Sequence, residues 1–106
     1  MQQISATELK QLIDSNEETP LLLDVREVQE FDLCHIEGSQ LMPMQSVPAR
    51  LNELDKDKHI VTICHHGMRS QQVAQFLLQS GFSNITNLSG GVNAWANDVD
   101  LDMPHY

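Results

Sequence analysis

The sequence predicts an α/β domain with a mainly parallel central sheet and helices on both faces. Three observations carry that prediction. Leu21-Leu22-Leu23-Asp24-Val25 and Ile60-Val61-Thr62-Ile63 are short, nearly unbroken apolar runs, as expected of strands buried on both faces. Between such runs lie segments whose apolar residues recur at helical spacing. Strand and helix candidates then alternate along the whole chain, which is the pattern of a parallel sheet. Ligands of open parallel sheets bind beyond the carboxyl ends of the strands. Asp24 and Cys64 both stand at such ends.

Taken in order, Ser5 and Glu8 fit a capping box, with Ile4 and Leu9 as its hydrophobic staple. Leu9, Leu12 and Ile13 continue one apolar stripe, so the first helix runs to Asp14. Residues 15–20 read as a polar loop and 21–25 as a strand. Val28 and Phe31 mark a short helix over 27–33, broken by Gly38, and 40–42 is a weak strand ahead of Pro43. Ser46 is placed to cap another short helix, with Pro48 in its first turn and Val47, Leu51 and Leu54 on one face. Residues 55–58 are a charged turn before the strand at 60–63.

The longest helix is expected over 71–80, where Val73, Phe76, Leu77 and Ser80 share a face and Gly81 takes the C′ position. A strand over 84–88 leads through Gly90 and Gly91 into a last helix with Val92, Trp95 and Ala96 turned inward. Residues 98–106, acidic and containing Pro104, read as a loose tail.

The 106 residues make one domain, long enough to bury roughly two-thirds of its unfolded surface. Six Lys and Arg against fifteen Asp and Glu give a net charge of -9, a field that repels a phosphate backbone and argues against nucleic-acid binding. No apolar run approaches the ~20 residues of a membrane span, and the N-terminus shows no secretory pattern. Two cysteines are too few for a disulfide scaffold, so a reduced, cytoplasmic protein is expected.

Cys64 is the chemical focus. A strand delivers this thiol to a loop that opens a helix, where backbone N–H groups and Arg69 favour a thiolate. Gly67 permits a tight turn in which successive N–H groups face inward as an anion nest. Arg69 is expected to close that ring or to bind an anionic substrate, and Ser70 reads as a helix cap. His65 and His66 suggest a metal site, a general base, or solvent-exposed histidines that tune the charge of the loop with pH. Their spacing with Cys34 and His35 matches no zinc pattern, so no metal is expected. Arg26 is placed to pair with Glu30, and Asp24 to support the active loop through hydrogen bonds.

These segments resemble a single-domain rhodanese. The matching residues are Asp24-Val25-Arg26-Glu27 with Glu30-Phe31, His35-Ile36-Glu37-Gly38-Ser39, Cys64-His65-His66-Gly67-Met68-Arg69-Ser70, and Leu88-Ser89-Gly90-Gly91 with Trp95. The resemblance implies sulfur transfer through a persulfide on Cys64, held by backbone N–H groups from His65, His66, Gly67, Met68, Arg69 and Ser70. It implies a small donor, thiosulfate or a persulfide, a thiol or cyanide acceptor, a place in a protein sulfur relay, and no cofactor. Cys34 stands where the family commonly has Gly, and His65 and His66 where thiosulfate-preferring members often carry Lys or Arg.

Two alternatives stand beside this reading. One is a relay or partner-binding module that turns over thiosulfate poorly. The other is a phosphatase or arsenate reductase, whose loops place five residues between Cys and Arg, against the four between Cys64 and Arg69.

Overall fold

The computed structural model describes residues 1–15 and 18–106, so the loop expected over 15–20 lies partly outside the described residues. Its order is β1 (Gln2–Ile4), α1 (Ala6–Asp14), β2 (Leu21–Asp24), α2 (Val28–Leu33), β3 (Gln40–Leu41), two 3₁₀ segments (Met44–Ser46 and Pro48–Glu53), β4 (Ile60–Ile63), α3 (Met68–Gln79), β5 (Ile85–Leu88) and α4 (Gly91–Asp98). The five strands form one parallel sheet in the order β1-β5-β4-β2-β3. β2 and β4 are neighbours, with Asp24 opposite Ile63, so the loops that follow them leave the same edge side by side.

Period-two alternation sends neighbouring residues of each strand into different cores. Leu22, Val61, Ile63 and Leu88 pack with Ala6 and Leu9 of α1 and Val92, Trp95 and Ala96 of α4. Leu23, Ile60, Cys64 and Ile85 pack with Val73, Ala74 and Leu77 of α3 and with Val47 and Leu54. Both faces are therefore covered, which is why the central strands are apolar at consecutive positions.

Local chemistry sets the helix ends. Glu8 N–H donates to Ser5 Oγ (3.1 Å) and Ser5 N–H to Glu8 Oε1 (2.9 Å), completing the expected capping box. Gly81 (φ +96°) ends α3, with Gly81 N–H on the Leu78 carbonyl and Phe82 N–H on that of Leu77, a Schellman motif whose C″ residue, Phe82, is buried.

The structure departs from the sequence expectations at several places. β1 is an edge strand that Gln2 and Gln3 do not announce, because its pairing comes from the backbone of β5 rather than from apolar side chains. The helix expected after Ser46 is two 3₁₀ pieces. Pro48 supplies no backbone donor, and Ser46 Oγ donates to the Pro43 carbonyl instead of capping. α3 begins at Met68, inside the expected loop. The segment after Asp98 is not loose: Val99 and Asp100 N–H groups both donate to the Trp95 carbonyl, and Met103 is buried. Among the described residues, no helix is long and apolar enough to cross a membrane.

Candidate active site

Cys64 follows the last residue of β4 and is 1% exposed. Its Sγ accepts a hydrogen bond from Gly67 N–H at 3.0 Å, so the loop is wrapped around the sulfur. Gly67 adopts φ +103°, and a Cβ there would lie 3.2 Å from Gly90 N and 3.3 Å from the Leu88 carbonyl oxygen. Both the backbone conformation and the close approach call for glycine.

The N-terminus of α4 holds the other side of the loop. Val92 N–H donates to the Cys64 carbonyl (2.9 Å) and Asn93 N–H to the His65 carbonyl (3.0 Å). A side chain on Gly91 would run into these same two carbonyls. In a trans peptide the N–H points opposite to the C=O, so the N–H groups of His65 and His66 are turned away from α4. At the start of α3, the N–H groups of Met68, Arg69 and Ser70 precede the first intrahelical bond, Gln71 N–H to Gly67 O. The loop thus gives the thiol one backbone donor, Gly67 N–H, with the start of α3 directly after it.

Asn87 of β5, which sequence reading missed, ties this loop to the sheet. It is 1% exposed; its Nδ2 donates to the Gly67 carbonyl (3.1 Å) and to Gln3 Oε1 (3.0 Å). Its Oδ1 accepts from Ser70 Oγ and Thr62 Oγ1. Ser70 is therefore an anchor for the loop rather than the cap expected of it; Gly67 occupies the N-cap position. The available signal was an asparagine within a strand whose two faces are both buried.

The charges are also arranged differently from expectation. Arg26 is fully buried and pairs with Asp24, not with the Glu30 carboxylate (Nη2–Oδ2 2.7 Å, Nε–Oδ1 2.9 Å). Its remaining donors reach the Cys34 carbonyl (2.7 Å), Tyr106 Oη (2.8 Å) and the Glu30 carbonyl (3.4 Å). Burial opposes the charge of Arg26, but the hydrogen bonds to Asp24 and Tyr106 outweigh it and hold its pKa above the ordinary value. Among the described residues, the partners of the Asp24 carboxylate all belong to Arg26, in its own loop, rather than to the active loop expected of it.

The Glu30 carboxylate grips Arg69 instead, in a two-pronged pair (2.8 and 2.9 Å). The Arg69 hydrogen bonds bring the Glu30 pKa down to about 2, and the same bonds raise that of Arg69. Tyr106 Oη donates to Glu30 Oε2 (2.9 Å), while the Glu27 N–H donates to Oε1 (3.1 Å).

His65 is partly buried between the Tyr106 ring (centroids 3.9 Å apart, 10° between planes) and His66 (3.9 Å). Burial, with a lesser contribution from His66, lowers the His65 pKa and keeps it neutral near pH 7. His66 and Met68 are exposed. Among the described residues, no three His, Cys, Asp or Glu side chains converge as metal ligands. Cys34 is buried with Ile36, Ile63 and Trp95, in the core on the other side of the sheet from Cys64.

A β-strand, a thiol wrapped by its own loop and a following helix are set at the carboxyl edge of a five-stranded parallel sheet, and the rhodanese-like domain family matches this chain over residues 5–98. The chain is a rhodanese-like domain. A sulfurtransferase of Allochromatium vinosum is 35% identical to it over 94 residues, covering 89% of this chain and 87% of that protein. A thiosulfate sulfurtransferase, GlpE of Pseudomonas fluorescens, is 35% identical over 79 residues, covering 74% of this chain and 72% of its own length. The crystal structure of SSP1007 from Staphylococcus saprophyticus superimposes with a TM-score of 0.85 at 35% identity, covering 99% of this chain and 100% of that one. Other curated relatives are longer: this rhodanese-like domain spans 52%, 23% and 26% of the length of three of them.

Proposed function

We propose that the protein is a sulfurtransferase that carries a sulfane sulfur as a persulfide on Cys64. The observation that carries this reading is the 3.0 Å hydrogen bond from Gly67 N–H to Sγ, in a loop whose carbonyls are held outward by α4. The thiolate attacks the outer sulfur of the donor. With thiosulfate, the S–S bond breaks and sulfite leaves with its electron pair, giving Cys64–S–S⁻. Cyanide or an acceptor thiolate then attacks the terminal sulfur, forming thiocyanate or a new persulfide and returning the Cys64 thiolate. N–H groups from His65, His66, Gly67, Met68, Arg69 and Ser70 stabilise the negative terminal sulfur, and Gly67 already donates to the thiol. Asp24 and Arg26 support the edge from beneath, and the chemistry calls on no metal or organic cofactor.

The charge pattern bears on the donor. The cation nearest the loop, Arg69, is engaged by Glu30, and His65 is held neutral. The loop therefore offers mainly backbone donors, which suits a singly charged persulfide better than doubly charged thiosulfate. That favours a second form of the reading, a sulfur-relay module in the cytoplasm that is loaded by a persulfide donor and passes sulfur to a partner thiol. The Arg69–Glu30 pair also weighs against a phosphatase or arsenate reductase, which needs its arginine for a tetrahedral oxyanion.

Mass spectrometry after incubation with thiosulfate or with a low-molecular-weight persulfide tests the proposal. The expected result is one added sulfur on Cys64, more complete from the persulfide, released by cyanide as thiocyanate. Thiocyanate formed at the wild-type rate by Cys64→Ala would overturn it.

A further inference from the structure

The last residue of the sequence given, Tyr106, lies beyond the stretch that the family matches, yet it touches the start of the thiol loop and reaches its far end through Glu30. Its ring stacks on His65, the residue directly after Cys64, at 3.9 Å and 10°. Its hydroxyl donates to Glu30 Oε2 at 2.9 Å, and that carboxylate holds Arg69 near the far end of the loop. The hydroxyl in turn accepts from Arg26 Nη1 at 2.8 Å, which fixes its position against a buried, fully engaged guanidinium. The chain leading to it is anchored by buried Met103 and by the paired N–H groups of Val99 and Asp100 on the Trp95 carbonyl. Cys64, at 1% exposure, is reached by a reagent only when something around it moves.

We propose that Tyr106 is a positioning residue of the thiol loop: its ring fixes His65 and its hydroxyl fixes the carboxylate that grips Arg69, so that the segment 99–106 keeps the loop closed on Cys64 against bulky reagents. The stack restricts the start of the loop and the hydroxyl restricts its end, so loss of both loosens more than loss of one. The effect is on local opening rather than on the global fold. The inference deepens the sulfurtransferase reading but does not need it for its test, because alkylation of the thiol requires no sulfur transfer.

The experiment compares Cys64 alkylation by iodoacetamide, which is small, and by N-phenylmaleimide, which is bulky, with the modified site mapped by mass spectrometry. Tyr106→Leu removes ring and hydroxyl, and is expected to raise the bulky-to-small rate ratio about five-fold. Tyr106→Phe keeps the stack, and is expected to raise it about two-fold. The ring-current shift of the His65 resonances should persist in Tyr106→Phe and vanish in Tyr106→Leu. Ratios equal to wild type in both folded variants would overturn the proposal, as would a lowered melting temperature with unchanged ratios, which marks a purely structural strut. If Tyr106→Leu does not fold, the Tyr106→Phe ratio decides alone, and a wild-type value overturns the proposal. Raised ratios in the variants, with a wild-type protein that itself fails to load sulfur, would uphold the positioning role and count against the sulfurtransferase reading.

Discussion

The loops after β2 and β4 leave neighbouring strands at the same edge of the sheet and use polar groups in opposite ways. After β2, a charged side chain is turned inward: Arg26 is buried, and Asp24, Cys34, Tyr106 and Glu30 together engage its guanidinium. After β4, the side chains of His66 and Met68 go outward and the Gly67 N–H turns onto the Cys64 sulfur. The first loop is saturated and therefore structural. On the proposed sulfurtransferase reading, the second keeps donors in place for a sulfur that arrives and leaves. Saturation in the one gives the other a rigid floor.

The largest effect expected from breaking this contrast is on stability at β2. Asp24→Ala leaves the Arg26 guanidinium buried without its counter-charge and should lower unfolding free energy by about 3–5 kcal/mol in urea titration. Cys64→Ala, in the neighbouring loop, should abolish sulfur loading while costing only about 1 kcal/mol. Similar stability losses from the two would erase the distinction between the loops. Asn87→Ala comes next. It removes the amide that carries the Gly67 carbonyl and the Ser70 hydroxyl, and a loss of about 2–3 kcal/mol together with weaker sulfur loading is expected.

Smaller effects sharpen the role of charge. Arg69→Ala should slow Cys64 alkylation at mildly acidic pH, because the thiolate loses a nearby cation; Glu30→Gln should speed it, because the cation is freed. An unchanged rate in both would show that the pair does not act on the thiol. The same carboxylate predicts a pH signature. Its pKa is about 2 when folded, against an ordinary 4.5, so its contribution is present above pH 4.5 and is lost as pH falls toward 2. With Arg69 partly open to solvent, that contribution is on the order of 1 kcal/mol, and acid titration of Glu30→Gln should lack it.

Much of the fold was legible because burial on two faces leaves a plain trace. Leu21-Leu22-Leu23 and Ile60-Val61-Thr62-Ile63 have few other places to go, and Ser5, Glu8 and Gly81 mark helix ends by chemistry local to each. Gln2–Ile4 was not legible as a strand, since an edge strand held by the backbone of β5 leaves no side-chain pattern. Ser46 reads as the cap of a helix with Pro48 in its first turn, where the chain forms two 3₁₀ pieces instead. At the site, Cys64, Gly67 and Arg69 were marked by their place between strand and helix. Asn87 and Tyr106 were not, because their contacts reach across 20 residues to Gly67 and 76 to Glu30.

An α/β sheet and a thiol at the head of a helix can be read from the residues alone. Those features follow from periodicity and from residues within a few positions of one another. Which charges pair depends on the folded arrangement. Glu30 is four residues from Arg26 and 39 from Arg69, yet its carboxylate goes to Arg69. The reason is competition: Asp24 takes Arg26 in a buried site where no second carboxylate is needed, and the parallel pairing of β2 with β4 brings the start of α3 to the Glu30 that remains. Spacing along a chain ranks local partners, but desolvation and strand order choose among distant ones, and around Cys64 that choice decides how much positive charge the sulfur meets.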